Sequence, residues 1–138
     1  MQLVCILINA CILVYGGVMD YKKREIPDLV PVTLILTGFL NGAFLFPRII
    51  CFVLTIAALL LSSKLLKSNL PGGDFKLICA LAFSSGLFSM VASLLLSGLC
   101  AILFGIIRKQ PIKRNIPLCT YIAPTYIAFQ TALHFTTF

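Results

Sequence analysis

Apolar stretches alternate with short polar breaks along the whole chain. Residues 2–19 contain no charged residue, and further apolar runs cover residues 29–46, 49–63, 77–107 and 118–137. A run of about 20 apolar residues is long enough to cross the hydrocarbon core of a bilayer as a helix. The pattern therefore predicts one domain, residues 1–138, folded as an all-α polytopic membrane bundle.

The polar breaks predict where the helices begin and end. Residues 20–28 (DYKKREIPD) are expected to form a loop, with Asp28 as the N-cap of the second helix because its side chain can accept a backbone N–H. Pro47 and Arg48 are expected to form a tight break. Residues 68–73 contain a proline and two glycines, which indicates a second break between helices.

The run at 77–107 has 31 uncharged residues, too many for one ordinary span. We expect two helices that turn near Ser89–Ser93, with Gly86, Gly98 and Gly105 allowing close packing. The bundle then has six transmembrane helices with both termini extracytoplasmic. Because basic residues favour the cytoplasmic side, this topology agrees with the charges: only Arg48 lies outside. The cytoplasmic segments hold Lys22, Lys23, Arg24, Lys64, Lys67, Lys76, Arg108, Lys109, Lys113 and Arg114.

Composition supports a lipid environment. Hydrophobic residues make up 60% of the chain and charged residues 11%, against about 25% charged in an average soluble domain. Basic residues that orient the chain in the membrane account for the net charge of +7. The sequence shows no pattern of basic residues interleaved with aromatic ones, so nucleic-acid binding is not expected. The six cysteines form no C-x-x-C pair, so we expect small buried side chains rather than a metal site.

The four acidic residues are the candidate chemistry. On this topology all four are cytoplasmic, with Asp20 closing the first helix and Asp74 opening the fourth. Two neighbouring carboxylates share a proton, so one can activate water while the other protonates a carbonyl oxygen. The alternative is structural: Asp20 pairs with a nearby lysine and Asp74 caps its helix. The single histidine, His134, is expected near the opposite face.

Three motifs resemble those of type IV prepilin peptidases. Residues 20–28 are similar to the family's D-x-x-x-R-x-I-P-[ND] segment, and residues 71–77 (PGGDFKL) to its G-x-G-D-x-K-L segment. The residues RNIP at 114–117 resemble the start of its R-x-x-[IL]-P-F-G-P ending. Pro71 stands where the second motif has its first glycine, and residues 118–120 (LCT) replace the F-G-P of the third.

The resemblance implies a GxGD-type membrane aspartic endopeptidase that needs no metal or cofactor. It implies that Asp20 and Asp74 are the catalytic pair, without assigning base and acid. The implied substrate is a prepilin or pseudopilin helix in the cytoplasmic (inner) membrane of a prokaryote, cut beside its leader on the cytoplasmic side, and membrane lipids are the other partners. Supporting roles are implied for Arg24, Pro27, Asp28, Gly72, Gly73 and Lys76.

The chain length, 138 residues, predicts no room for the methyltransferase region of larger members. It resembles the short, peptidase-only forms that serve Flp/Tad-like pili. Two alternatives stay open. The substrate is an archaeal preflagellin or a competence pseudopilin, or the protein is a non-enzymatic small transporter or assembly subunit. A transporter would place its acids near the bilayer midplane.

Overall fold

The structure is a computed structural model that describes residues 2–41, 44–67, 72–109 and 117–136. Its regular elements in these residues are six helices, which confirms the all-α prediction. No strand occurs within the described ranges. The helices are α1 (Gln2–Lys23), α2 (Leu29–Leu40), α3 (Leu45–Leu66), α4 (Gly72–Ser85), α5 (Leu87–Ile107) and α6 (Leu118–Thr136).

The long apolar run folds as two helices, as predicted, but the position of the turn was wrong. The break lies at Gly86, whose φ of 86° is in the left-handed region that glycine adopts without a steric penalty. Ser89 and Ser93 instead lie in α5 with buried side chains. The Ser93 hydroxyl donates to the Met90 carbonyl one turn earlier, so a polar side chain is satisfied inside the helix.

The predicted break at Pro47 was also wrong. Pro47 lies in the first turn of α3, where an N–H would have no partner within the helix, so proline is tolerated. Arg48 reaches back across the connection, and its Nη1 donates to the carbonyl oxygen of Gly38 in the last turn of α2.

The loop between α1 and α2 is shorter than predicted because α1 continues through Lys23. Arg24 has a φ of 55°, and its N–H donates to the Asp20 carbonyl at 2.8 Å, which closes the helix. The predicted side-chain cap by Asp28 is absent. Its backbone is helical (φ −60°, ψ −16°), whereas an N-cap needs an extended backbone to aim its oxygen at the next N–H groups.

Three helices of the described residues are long and apolar enough to cross a membrane: Leu3–Lys23, Leu45–Leu66 and Leu87–Ile107. Leu29–Leu40 is a shorter apolar helix. With large apolar side chains exposed along these helices, the chain is a membrane protein. Six crossings and extracytoplasmic termini stay predictions.

Helix α4 forms the centre of the bundle. Every residue from Leu77 to Ser84 is buried, and α4 packs against α2, α3 and α5. Helix α1 packs against α2 and α6, and α6 also packs against α5. Helix α3 lies at the edge, since Thr55 is its one buried residue. The Phe83 ring of α4 contacts the Phe39 and Phe52 rings of α2 and α3, with centroids 5.0 and 5.9 Å apart.

The glycines that allow close packing differ from the predicted ones. No atom of the described residues lies within 4 Å of where a Cβ would stand at Gly86, Gly98 or Gly105. At Gly38 a Cβ would lie 2.7 Å from Cδ1 of Phe83, so this glycine lets α2 approach α4. The glycine that permits a close helix approach here is therefore Gly38 in α2, rather than Gly98 or Gly105 in α5.

Candidate active site

Four chain segments meet at one end of the bundle: the end of α1, the start of α2, the start of α4 and the start of α6. Side-chain and backbone contacts connect these segments to one another. Asp20 and Asp74 both lie at this end, one from the last turn of α1 and one from the first turn of α4. The acids therefore lie at helix ends rather than halfway along the helices.

Asp20 is buried against the start of α6. Its side chain is 6% exposed, and its Oδ2 accepts the backbone N–H of Cys119 at 3.0 Å. The Thr120 backbone also interacts with this carboxylate. The first N–H groups of a helix have no partner within it and carry a partial positive charge. Asp20 thus caps α6 from another helix, and the cap stabilises the ionised carboxylate.

A glycine pair brings the backbones of α1 and α6 together beside Asp20. A Cβ on Gly17 would stand 3.2 Å from Cα of Thr120, and one on Gly16 would stand 3.2 Å from Sγ of Cys119. The Thr120 hydroxyl fills the gap by donating to the Gly17 carbonyl at 2.8 Å. Only small residues at 16 and 17 allow this approach, which gives Asp20 its donor.

Asp74 is partly buried, and the negative charge of Asp20 acts directly on it. The buried Cys119 side chain also lies at this end, because its own backbone N–H is the donor to Asp20. Within the described residues, no hydrogen bond or ion pair reaches the Asp74 carboxylate. The two acids therefore differ: Asp20 has a donor from α6, and Asp74 has none but faces the charge of Asp20.

The two glycines before Asp74 have different surroundings. A Cβ on Gly73 would stand 3.4 Å from Cβ of Ile26, so this glycine lies against the loop between α1 and α2. At Gly72, by contrast, the described residues leave the space around a Cβ open for 4 Å. The start of α4 is therefore packed on one side and accessible on the other.

A surface ion pair joins the loop to α4. Lys76 Nζ lies 2.9 Å from Asp28 Oδ1, with side chains 60% and 79% exposed. Asp28 thus acts on α4 instead of capping α2. The first turn of α2 closes through the backbone, where the Val30 N–H donates to the Pro27 carbonyl at 3.1 Å.

The other predicted site residues lie around this end without joining the pair. Arg24, Lys22 and Lys23 are exposed, and within the described ranges none of them forms an ion pair. Pro71 and residues 114–116 of the third motif lie outside the described residues. Pro117 immediately precedes α6. The third motif therefore ends next to the helix start whose Cys119 N–H donates to Asp20.

Two neighbouring carboxylates in a partly buried setting can perform general acid–base chemistry on a bound water. His134 lies 15 residues beyond Cys119 on the same helix, about 22 Å away at 1.5 Å per residue, too far to take part. No group of three His, Cys, Asp or Glu side chains suited to a metal ion occurs in the residues described.

One feature of this site and one polar residue outside it were missed from the sequence. The donor to Asp20 is a backbone group, so no side-chain type at position 119 could indicate it. The position of RNIP before the last helix was the available signal, because it places a helix start next to the site. The second is Asn9, which bonds Thr37 and Ser84 at the opposite end of the bundle. It was read only as part of an apolar span.

Comparison with known proteins gave one family. A model described as the type IV leader peptidase family matches residues 7–106, a range that contains both Asp20 and Asp74. No curated protein and no solved structure matches the chain.

Proposed function

The chain belongs to the type IV leader peptidase family, and on that premise we propose that it is a membrane aspartic endopeptidase that removes the short leader of Flp/Tad-like prepilins or pseudopilins. The observation that carries the proposal is the meeting of Asp20 and Asp74 from two different helices at one end of the bundle. Acids at helix ends favour a peptidase over a transporter, whose site would lie near the midplane.

The proposed location of the site is the cytoplasmic face of the inner membrane of a prokaryote. The exposed cations Lys22, Lys23, Arg24 and Lys76 surround this end, in agreement with the cytoplasmic bias of basic residues. These cations would bind anionic lipid headgroups rather than the basic leader. A reporter fused after Arg114 should read as cytoplasmic; an external signal would contradict the six-span topology.

The different surroundings of the acids support a division of roles. Asp20, whose carboxylate accepts the Cys119 N–H at the N-terminus of α6, is the base that takes a proton from water. Asp74, which faces that charge, holds the shared proton. The water oxygen bonds to the scissile carbonyl carbon as Asp74 protonates the carbonyl oxygen. The C–N bond then breaks as the amine nitrogen receives the proton that Asp20 took, while one hydroxyl of the tetrahedral intermediate returns its proton to Asp74 and becomes the new carbonyl.

The open side of Gly72 is the proposed approach of the substrate backbone. A glycine there leaves room for an extended peptide to pass close to Asp74. Gly73, on the packed side, lets α4 lie against Ile26. This contact would keep Asp74 and the substrate backbone aligned with Asp20.

Leader removal from a co-expressed Flp-type prepilin tests the function. We expect complete processing by the native chain and at most a trace of processing by Asp20→Asn or Asp74→Asn. Glu25→Gln is the matched control, since it removes an exposed acid of the neighbouring loop. Wild-type processing by either Asn variant would exclude the paired-aspartate mechanism. Parallel reactions with a preflagellin and a competence pseudopilin identify the substrate class.

The pH dependence of kcat/KM tests the division of roles. With Asp20 as base and Asp74 as acid, the native profile is bell-shaped. The residual activity of Asp74→Asn should lose the alkaline decline and keep the acidic one, because no acid is left to deprotonate. Loss of the acidic decline instead would reverse the two roles.

A further inference from the structure

A second polar region lies inside the bundle, away from the aspartates. It is a cavity of about 200 Å³ bounded by five helices and by Asn41, which follows α2. Its wall contains five larger polar or charged side chains and three serines. The side chains that matter here are Asn9, Asn41, Arg48, Ser89, Tyr126 and Gln130.

The cavity belongs to the end of the bundle opposite the candidate active site. Asn9 precedes Asp20 by 11 residues on α1, and Gln130 follows Cys119 by 11 residues on α6. At 1.5 Å per residue, each separation is about 16 Å along the helix. The cavity also borders the first turns of α3 and α5, so it lies at the helix ends on that side of the bundle.

The cavity carries one formal charge, that of Arg48, and its lining includes no acidic residue. Arg48 gives one N–H to the Gly38 carbonyl, and in the part of the chain described no carboxylate pairs with it. A guanidinium has five N–H groups, so most of its donors stay available. Asn41, Ser89 and Gln130 add further amide and hydroxyl donors around the same space.

The wall of the cavity is held in place before any ligand enters. The Asn9 amide donates to Ser84 Oγ at 2.7 Å and accepts from the Thr37 hydroxyl, which links α1, α2 and α4. The buried Tyr126 hydroxyl faces Asn9, Ser85 and Gln130. Fixed donors around a single cation lower the cost of ordering the site when an anion binds.

We propose that this cavity binds a phosphate-type oxyanion, carried by a lipid headgroup or free in solution. The guanidinium fork of Arg48 matches two phosphate oxygens, and the neighbouring amides and hydroxyls can donate to the others. A water occupies about 30 Å³ in the liquid, so the volume suits one phosphate group with a few waters. The inference is independent of the peptidase activity.

Thermal unfolding in maltoside micelles, which contain no phosphate, tests the proposal. The probes are inorganic phosphate and short-chain dihexanoyl-phosphatidylglycerol, each against sodium chloride at equal ionic strength. We expect the midpoint of the native chain to rise by a few degrees, on the order of 2–4 °C, at saturation. A rise with the lipid alone identifies a headgroup site, and a rise with both identifies a general phosphate site.

Arg48→Gln should raise the half-saturating probe concentration about tenfold or more, because the charge-assisted contacts are lost. Lys64→Gln is the matched control: it removes an exposed cation from the other end of α3 and should leave the response unchanged. If Arg48→Gln does not fold in chloride, Gln130→Leu replaces it with the same expectation of weaker binding. No response to either probe, or an undiminished response in the cavity variant that folds, would overturn the proposal.

Discussion

Both ends of the bundle contain polar groups, but the hydrogen bonding of those groups differs between the two ends. At one end, Asp20 and Asp74 bring together two carboxyl groups that cannot both ionise without repulsion, and only Asp20 has a hydrogen-bond donor in the described residues. At the other end, the buried side chains of Asn9, Thr37 and Ser84 satisfy one another across three helices. The first arrangement opposes folding, whereas the second supports it.

The carboxylate end is therefore suited to catalysis, and the amide end to stabilising the fold. A like-charge pair costs free energy in the folded state and persists where function requires it. A satisfied amide–hydroxyl network adds stability but offers no reactive group. Substitutions at the carboxylate end should therefore change turnover more than folding, and substitutions at the amide end should do the reverse.

Asp74→Asn should show the largest effect on activity. Leader cleavage should fall by about 10³-fold or more, since general acid catalysis and its positioning are lost together. The thermal midpoint should stay the same or rise, because the repulsion by Asp20 is removed. Purified protein assayed for both cleavage and unfolding gives the two numbers. A large fall in the midpoint would mean that Asp74 has a structural role.

Gly17→Ala should lower the activity of the carboxylate end, although it changes neither Asp20 nor Asp74. The new Cβ would meet the Thr120 backbone at 3.2 Å, so α1 and α6 must move apart by a few tenths of an ångström, which weakens the bond from the Cys119 N–H to Asp20. A displacement of about 1 Å at a reacting group can cost about 100-fold in rate, so this smaller one should cost roughly 3- to 10-fold in kcat, with a lower midpoint.

Gly98→Ala is the control for that change. No atom of the described residues lies within 4 Å of its new Cβ, and the helix-propensity gain of alanine over glycine is the same. Its activity should match the native chain. An equal loss in both variants would show that the close approach of α1 and α6 does not position Asp20.

Thr37→Val tests the amide end. Valine keeps the shape of threonine but leaves the Asn9 oxygen without the Thr37 hydroxyl, so the free energy of unfolding should fall by about 1–2 kcal/mol. Turnover of the folded fraction should not change. Thr33→Val is the control on the same helix, because the Thr33 hydroxyl bonds only backbone carbonyls within α2. Equal effects would exclude a contribution from the network.

Apolar runs and charge placement were enough to predict six helices and to put Asp20 and Asp74 at helix ends on the same side of the bundle, whereas their catalytic pairing rested on the motif resemblance. These patterns failed where backbone geometry decides. Proline breaks a helix only beyond its first turn, so Pro47 gave a false boundary. The turn was predicted near Ser89–Ser93, but the left-handed φ that identifies it belongs to Gly86. The α6 donor to Asp20 is a backbone group and has no residue signature.

The Asp28–Lys76 pair should show the smallest effect, because it tests a contact beside the carboxylates rather than the carboxylates themselves. Both side chains are more than half exposed, so water screens most of the attraction. A double-mutant cycle with Asp28→Asn and Lys76→Gln should give a coupling of about 0.2–1 kcal/mol in unfolding. The cycle should weaken further at high salt. A coupling well above 1 kcal/mol would mean that this pair, rather than the packing of Gly73 on Ile26, holds α4 in register with Asp20.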